Sequence, residues 1–425
     1  MSEPTREKVL VLTTSFPRWE DDTAPSFVDD LSREITEKGF DVVVLAPHHP
    51  GAKRRESMMG FDVYRYPYIF PKRFQRLCYE GSILDTVKSD VFAVLQVPLL
   101  VISLFLHTLW LIWKEDVDFV HSHWLVPNGL VAATVRRFTG TPHVMTLHAG
   151  GVLGVKELPF SSQIALFVAA RTDVIVPVSS YIQNTFVEML PSDVTTAAPE
   201  FRVQPMGTDA ASAHSHNGRA VEPASDHEGP VVGLFVGRLA PKKGVEYLID
   251  AVQQVEAGPE EFQLILVGPG PLEGKIEQLI DDRGLADQVR LTGWINDEEL
   301  DGLYAHADFT VVPSIQTASG DTEGMPIVIA EAFAAGNPVL ASDVGGISDV
   351  VRDGENGYLV AQKRPDKLAE QMHSLIENDR RRSEMAKQAR EDAAELDWGA
   401  CGETYAHVFG SVREHRDDGT ESTTA

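Results

Sequence analysis

Two cations and two carboxylates, carried by two short segments, are the residues of this chain best placed to do chemistry. Arg238 and Lys243 lie in Gly237-Arg238-Leu239-Ala240-Pro241-Lys242-Lys243-Gly244, and Glu323 and Glu331 bound the segment EGMPIVIAE. Fixed cations beside a helix N-terminus stabilise the negative charge that develops on a departing diphosphate. A carboxylate such as Glu331 can accept from both hydroxyls of a ribose. Its neighbours Val328, Ile329, Ala330, Ala332 and Phe333 are so apolar that an idle carboxylate among them would be costly. Gly324 lets backbone approach a ligand closely, and the first free N–H groups of the following helix can bind hydroxyl or phosphate oxygens. The cationic loop stands out because the chain is acidic: 63 Asp and Glu against 37 Lys and Arg, a net charge of −26. Such a surface repels nucleic acid and anionic membranes, so nucleic-acid binding is not expected as the main task and any cation that binds an anion acts locally. The dispersed acidic excess also fits a halophile's cytosol.

For these loops to act together, strands must deliver them to one edge of a sheet. The pattern alternates strand and helix throughout, which predicts parallel sheets covered on both faces. In the first half, strands are expected at Val9–Thr13, Asp41–Ala46, Asp118–His121, His143–Leu147, Asp173–Pro177 and Arg202–Pro205, with helices such as Ser26–Lys38 and Gly129–Phe138. Residues 209–230 are small, polar and aperiodic, which is linker composition. A second series then begins, with strands at Val231–Val236, Gln263–Val267, Val289–Leu291, Asp308–Val312 and Pro338–Ala341 and helices at Glu246–Val255, Leu272–Asp282 and Ile327–Ala335. A chain of 425 residues has room for two domains of ~100–200 residues each. The expected organisation is an N-terminal domain over 1–208, the linker 209–230, a second domain over 231–396, a helix over 397–415 packing back on the first domain, and a disordered polar tail over 416–425. The fold class is α/β, two Rossmann-like doubly wound domains facing across a cleft, with ligands outside the carboxyl ends of the strands. Both chemical segments follow expected strands.

These segments, taken together, resemble the family-4 glycosyltransferases, also called group 1 glycosyltransferases. The resemblance rests on EGMPIVIAE with the following AFAAGNPVLASDVGGISDVV, on GRLAPKKG, on VGPGPLEG at Val267–Gly274, on the opening strand and helix, and on VHSHWLVPNGLVAA at Val120–Ala133. It covers roughly residues 8–415. It implies the GT-B fold and transfer of a hexose or related sugar from a nucleotide-diphosphate sugar, with retention of anomeric configuration and with neither metal nor cofactor. By the same resemblance Arg238 and Lys243 hold the diphosphate, Glu331 binds the ribose, and Glu323, Gly324 and Met325 contact the donor sugar. Gly268 belongs to a turn of the nucleotide half. His148, in VMTLHAGG, lies where the family often has an active-site histidine; a plain cap at the strand end also suits it. One departure is the first strand–helix loop, where the family often has a Gly-Gly pair. Here residues 21–26 read Asp-Asp-Thr-Ala-Pro-Ser, and Pro25 supplies no N–H to a phosphate.

From Val91 to Trp113 no charged residue occurs. A span needs ~20 apolar residues, so the length suffices, but Gln96, Pro98, Ser103, His107 and Thr108 interrupt the run. Three readings stay open: buried helices broken near Pro98, a helix in the membrane interface with Trp110 and Trp113 at headgroup level, and a spanning helix. Because the acceptor half of a GT-B enzyme is the N-terminal one, a lipid-linked glycan acceptor is expected. That setting would be surface-glycan or N-glycan assembly, in a cytoplasmic, peripherally membrane-bound and haloarchaeal protein. Cys78 and Cys401 form no motif and fit a reduced compartment, and Met1–Lys8 does not read as a secretory signal.

Weaker signals are set aside. Gly268-Pro269-Gly270 is a poor dinucleotide fingerprint. Asp116-Val117-Asp118 reads as a turn and strand start rather than a metal-binding pair. His121 and His123 are read as pointing to opposite faces of their strand, and no Cys/His cluster suggests zinc. Rival functions are a noncatalytic nucleotide-sugar sensor or scaffold, a GT-B sugar-nucleotide epimerase, and a phosphorylase, which would need a pyridoxal-binding lysine that cannot be assigned.

Overall fold

The computed structural model describes residues 6–20, 22, 27–79, 83, 86–87, 90–191, 199–208 and 229–421. Most of the loop at 21–26, residues 209–228 of the linker expected over 209–230, and the last four residues lie outside them. The chain forms two compact units, Met1–Pro205 with Cys401–Ala425, and Met206–Ala400.

The first unit runs β1 (Lys8–Leu12), α1 (Phe27–Glu37), β2 (Asp41–Pro47), β3 (Arg55–Met58), β4 (Phe61–Tyr66), α2 (Val91–Glu115), β5 (Phe119–His123), α3 (Leu130–Thr139), β6 (His143–Leu147), α4 (Ala149–Lys156), α5 (Ser161–Ala169), β7 (Val174–Pro177), α6 (Ser180–Met189) and β8 (Glu200–Phe201). Its sheet has the order β3-β4-β2-β1-β5-β6-β7-β8, parallel except where β3 meets β4. Strands covered on both faces need apolar side chains at every position, and β1, VLVL after Lys8, is buried throughout that run. The β3–β4 hairpin is not anticipated by the pattern. Its turn places Met59 and Gly60 both at positive φ, 54° and 86°, the geometry that matches strand twist in a two-residue hairpin. The regular part of β8 is Glu200–Phe201 rather than Arg202–Pro205, although the Arg202 and Gln204 amides still donate to the Ile175 and Pro177 carbonyls.

Of the three open readings, the one with helices broken near Pro98 does not hold. Helix α2 is one continuous helix of 25 residues with Pro98 inside it. Pro98 costs the helix one bond to the Val94 carbonyl, and both residues are exposed, so that carbonyl is not sealed in the core. The helix is buried on one side only. Ala93, Leu100, Leu104, Leu111 and Ile112 join a core with Leu10, Leu12, Val43 and Leu45 of the sheet.

The second unit runs β9 (Val231–Val236), α7 (Val245–Val252), β10 (Phe262–Val267), α8 (Glu273–Arg283), β11 (Val289–Gly293), α9 (Asp297–His306), β12 (Phe309–Val312), α10 (Ile327–Ala335), β13 (Val339–Ser342), β14 (Gly357–Val360), α11 (Pro365–Glu377) and α12 (Asp379–Ala393). Its sheet is parallel, with the order β11-β10-β9-β12-β13-β14. Apolar clusters cover it on both faces, one around Phe262, Leu264 and Phe309, the other around Leu234, Ile329 and Phe333. The strand order reverses at β9 and β12, the switch point of a doubly wound sheet, where such folds place their ligands.

The last helix, α13 (Trp398–Glu421), begins in the second unit and continues into the first. It runs past Arg416 to Glu421, where a disordered tail is expected from sequence. Within the first unit its Tyr405 hydroxyl lies 2.6 Å from Thr146 Oγ1, and the Phe409 ring packs at 5.2 Å from both Phe40 and Phe119.

Candidate functional site

The switch point of the second unit is built from three loops. After β9 the chain makes Gly237–Gly244; after β10, Gly268–Leu272; after β12, residues 313–326, which lead into α10. Backbone contacts lock them. Leu239 N donates to the Pro269 carbonyl and Leu272 N to the Leu239 carbonyl, each at 3.0 Å, while Ile315 N donates to the Lys242 carbonyl at 2.8 Å. Glycine is needed at two of the crossings. A Cβ at Gly244, whose φ is +66°, would sit 2.0 Å from the Pro313 carbonyl oxygen, and one at Gly268, φ +119°, would sit 2.4 Å from that of Gly237.

These loops bring both sequence segments together. Lys243 Nζ lies 3.1 Å from Glu323 Oε1, an ion pair rather than a well-aligned hydrogen bond. Lys242 lies 3.6 Å from Asp321 in the same loop. Arg238 is exposed at the head of the cationic loop. Gly324 is buried, Met325 half-buried, and both immediately precede α10. Behind Glu323, Gly345 at φ +65° lets the chain pass so close that a Cβ would meet the Glu323 carbonyl oxygen at 2.1 Å. Three buried oxygens here lack a hydrogen-bond partner among the described residues: Ser314 Oγ, Thr322 Oγ1 and Glu323 Oε1. Unsatisfied buried polar atoms are costly, and a cluster of them at a strand end marks where a polar ligand would complete the bonding.

Glu331 is half-buried on α10, and the Tyr304 hydroxyl of α9 donates to its Oε2 at 2.7 Å. Burial raises the Glu331 pKa above the ordinary carboxylate value, and the Tyr304 hydrogen bond pulls it partly back. Nothing in the spacing of EGMPIVIAE announces Tyr304, which comes from a separate helix. A hollow of about 460 Å³, lined by Leu291, Thr292, Ile295, Glu299 and Leu303, opens between the end of β11 and α9.

His148 lies in the first unit, between β6 and α4. It is the N-cap residue of α4, but its side chain caps nothing. Its Nε2 instead meets His123 Nδ1 at 3.1 Å, and its ring packs 5.1 Å from Phe27 and 5.0 Å from Trp124. Burial lowers the His148 pKa to about 3, so the ring is neutral. The partner is one that sequence reading misassigns. His121 and His123 lie on the same face of β5, their rings 4.5 Å apart, because a step of two residues along a strand returns to the same side. His121 Nε2 contacts Thr146 Oγ1 at 2.8 Å, which extends the polar row to Tyr405. Asp116 and Asp118 have local tasks: Asp116 caps α2 in the left-handed conformation, and Asp118 Oδ2 accepts from the Lys8 amide.

Comparison with known proteins agrees with this architecture. Residues 221–392 match the model of glycosyl transferases group 1, and residues 24–199 match that of glycosyltransferase family 4. A glycosyltransferase of Methanocaldococcus jannaschii is 30% identical over 291 residues, 68% of this chain and 74% of the relative. A GDP-mannose-dependent alpha-(1-6)-phosphatidylinositol monomannoside mannosyltransferase of Mycobacterium tuberculosis is 26% identical over 382 residues, 87% of this chain and 89% of that one. Among solved structures, an Anabaena protein in complex with UDP, HepE, superposes with a TM-score of 0.68 at 18% identity, covering 95% of this chain and all of the other. With two Rossmann-like units of parallel sheet and family matches in both halves, the chain belongs to the glycosyltransferases of GT-B fold.

Proposed function

We propose that this protein transfers a hexose or related sugar from a nucleotide-diphosphate sugar to a lipid-linked glycan acceptor, with retention of configuration and without metal or cofactor. The observation that carries the donor half is the Lys243–Glu323 pair, which joins the cationic loop to the start of α10. In this reading Arg238 and Lys243 neutralise the diphosphate, and Glu331 accepts from the ribose hydroxyls. Glu323, Gly324 and Met325 contact the sugar, Gly268 lets backbone approach the nucleotide, and neutral His148 hydrogen-bonds a sugar hydroxyl. The bond from the anomeric carbon to the phosphate oxygen breaks as a bond to the acceptor oxygen forms on the same face. The acceptor's proton passes to the leaving phosphate oxygen. The protein's part is to position the reactants and stabilise charge, which fixed cations in a loop-walled site do without reorganising.

The lipid-linked acceptor, and work at the cytoplasmic face of the membrane in surface-glycan or N-glycan assembly, are supported by helix α2 of the first unit. The printed name of the mycobacterial relative, a mannosyltransferase acting on a phosphatidylinositol mannoside, is consistent with such an acceptor. The test is a panel of nucleotide sugars with a membrane extract as acceptor, reading release of nucleoside diphosphate and the anomeric configuration of the product. Transfer from one donor, lost in Glu323→Ala, is the expected result. Donor binding with no release across all acceptors would overturn it in favour of a sensor.

A further inference from the structure

Helix α2 has one side on the sheet and the other exposed. Leu95, Leu99, Ile102, Leu106, Trp110 and Trp113, spaced by three or four residues, form a stripe in which every member is at least 44% exposed. At ~1.5 Å per residue the helix extends for about 37 Å, far longer than a chance surface leucine explains. Its inner face is fixed lengthwise in the core with the β1 and β2 residues Leu10, Leu12, Val43 and Leu45. A helix whose inner face is held along a folded sheet can give lipid only its outer face, which argues against spanning and for a surface contact.

The flanks of the stripe are cationic. Arg76 lies against α2, its amide bonded to the Oε1 of buried Gln96, and its side chain is exposed. Lys114 lies over the Trp110 ring at 4.6 Å. Phe138 of α3 contacts Phe105 of α2, is 71% exposed, and follows exposed Arg137. On the loop beside the helix, Arg73 covers the Phe74 ring. The acidic residues of α2 and its caps, Asp90, Glu115 and Asp116, stand at its two ends, and Glu115 accepts from Lys114 at 2.8 Å, so the unpaired positive charge beside the stripe comes from the arginines. Arginine, lysine and tryptophan around an apolar stripe are the composition of a helix lying in the headgroup region of an anionic bilayer.

We propose that this face of α2, with Phe74 and Phe138 beside it, docks flat on an anionic lipid surface. The inference deepens the lipid-linked acceptor proposed above and rests on that reading for its purpose. The net charge of −26 opposes approach at long range, but salt screens exposed charges beyond ~10 Å, so the cations at the face and the apolar stripe govern close contact. A second copy of the chain is the weaker occupant. It would set Arg73, Arg76 and Arg137 against their own copies and bring together two strongly acidic bodies.

The experiment uses the full chain with vesicles of phosphatidylglycerol mixed into phosphatidylcholine, or of phosphatidylcholine alone, read by flotation. Tight binding to the anionic vesicles is expected, weaker binding to the neutral ones, and a blue shift of tryptophan emission. The variant Leu95→Ser, Ile102→Ser, Leu106→Ser should lose roughly a hundred-fold in vesicle affinity, since each side chain leaves an apolar contact. Release of nucleoside diphosphate with water or a soluble acceptor should be unchanged in it, so failure of the docking and failure of the transferase reading are read separately. Absence of binding to anionic vesicles, or binding untouched by the triple variant, overturns the proposal. So does a concentration-dependent dimer in sedimentation that the same variant abolishes.

Discussion

Lys243 Nζ lies 3.1 Å from Glu323 Oε1, so one charge pair closes the loop after β9 onto the loop before α10. A cation restrained in this way has little rearranging to do when a diphosphate arrives. Lys243→Ala should lower kcat/KM by roughly a hundred-fold or more, the scale of losing one donor to developing negative charge. Because the pair is partly solvated, the urea midpoint should move little. Parallel loss of folding and turnover would remove the charge-holding role.

Tyr304 holds Glu331 from a different helix, and its loss should be felt at the nucleotide. In Tyr304→Phe a charged hydrogen bond disappears, worth ~1.5–3 kcal/mol, and donor Kd should rise roughly ten-fold or more with a smaller change in kcat. The sign of the pH effect follows from the same bond. Burial already raises the Glu331 pKa and Tyr304 lowers it, so the variant's carboxyl protonates at higher pH. Donor affinity should therefore fall off earlier on acidification than in the parent. An unchanged pH profile would show that Glu331 does not bind the donor as a carboxylate.

In the proposed mechanism the His123–His148 contact would give His123 a positioning role. His123→Phe keeps the bulk and removes the hydrogen bond to His148 Nε2. If His148 orients the sugar, kcat should drop several-fold while donor Kd holds, and His123→Gln should recover part of the loss. Equal effects of Phe and Gln would reduce His123 to packing.

Acid should weaken the first unit before chemistry is touched. Burial lowers the pKa of His121, His143 and His148 to about 3 and that of His48 to about 4, and pushes His123 well down. The unfolded chain takes up those protons near pH ~6.5, so it binds more of them than the native state below that point. Stability is then full above pH ~6.5 and lost as pH falls, by at most ~1.4 kcal/mol per unit for each histidine. Asp29 works in the opposite direction, since burial raises it to about 7 and its contribution is lost as pH rises through that value. Five groups outweigh one. Urea midpoints at decreasing pH should fall, and His121→Gln should flatten the slope by about one proton's share.

The loops after β9 and β12 were readable because parallel strands buried on both faces leave unmixed apolar runs. Val231–Val236 appears as β9 with the expected bounds, and the cationic loop follows it. Chemistry carried by distant partners was not readable. Tyr304 pairs with Glu331 across 27 positions, and no local period connects them. The β3–β4 hairpin escaped notice because Arg, Glu and Asp interrupt it and its turn is Met59-Gly60 rather than a typical turn pair. Helix α2 was visible as an apolar run, but its two sides were not. Which residues of Val91–Trp113 meet the sheet depends on β1 and β2, far away in sequence.

The discontinuity of the first unit sets an order of events during synthesis. Tyr405, Val408 and Phe409 are fully buried in it, against residues as early as Phe40. A ribosome delivers Phe40 long before Phe409, with the whole second unit made in between. The earlier domain must therefore wait, its α13 site open, until Tyr405 to Phe409 have been made. Premature termination after Ala400 would release a chain whose second unit has every residue it needs and whose first does not.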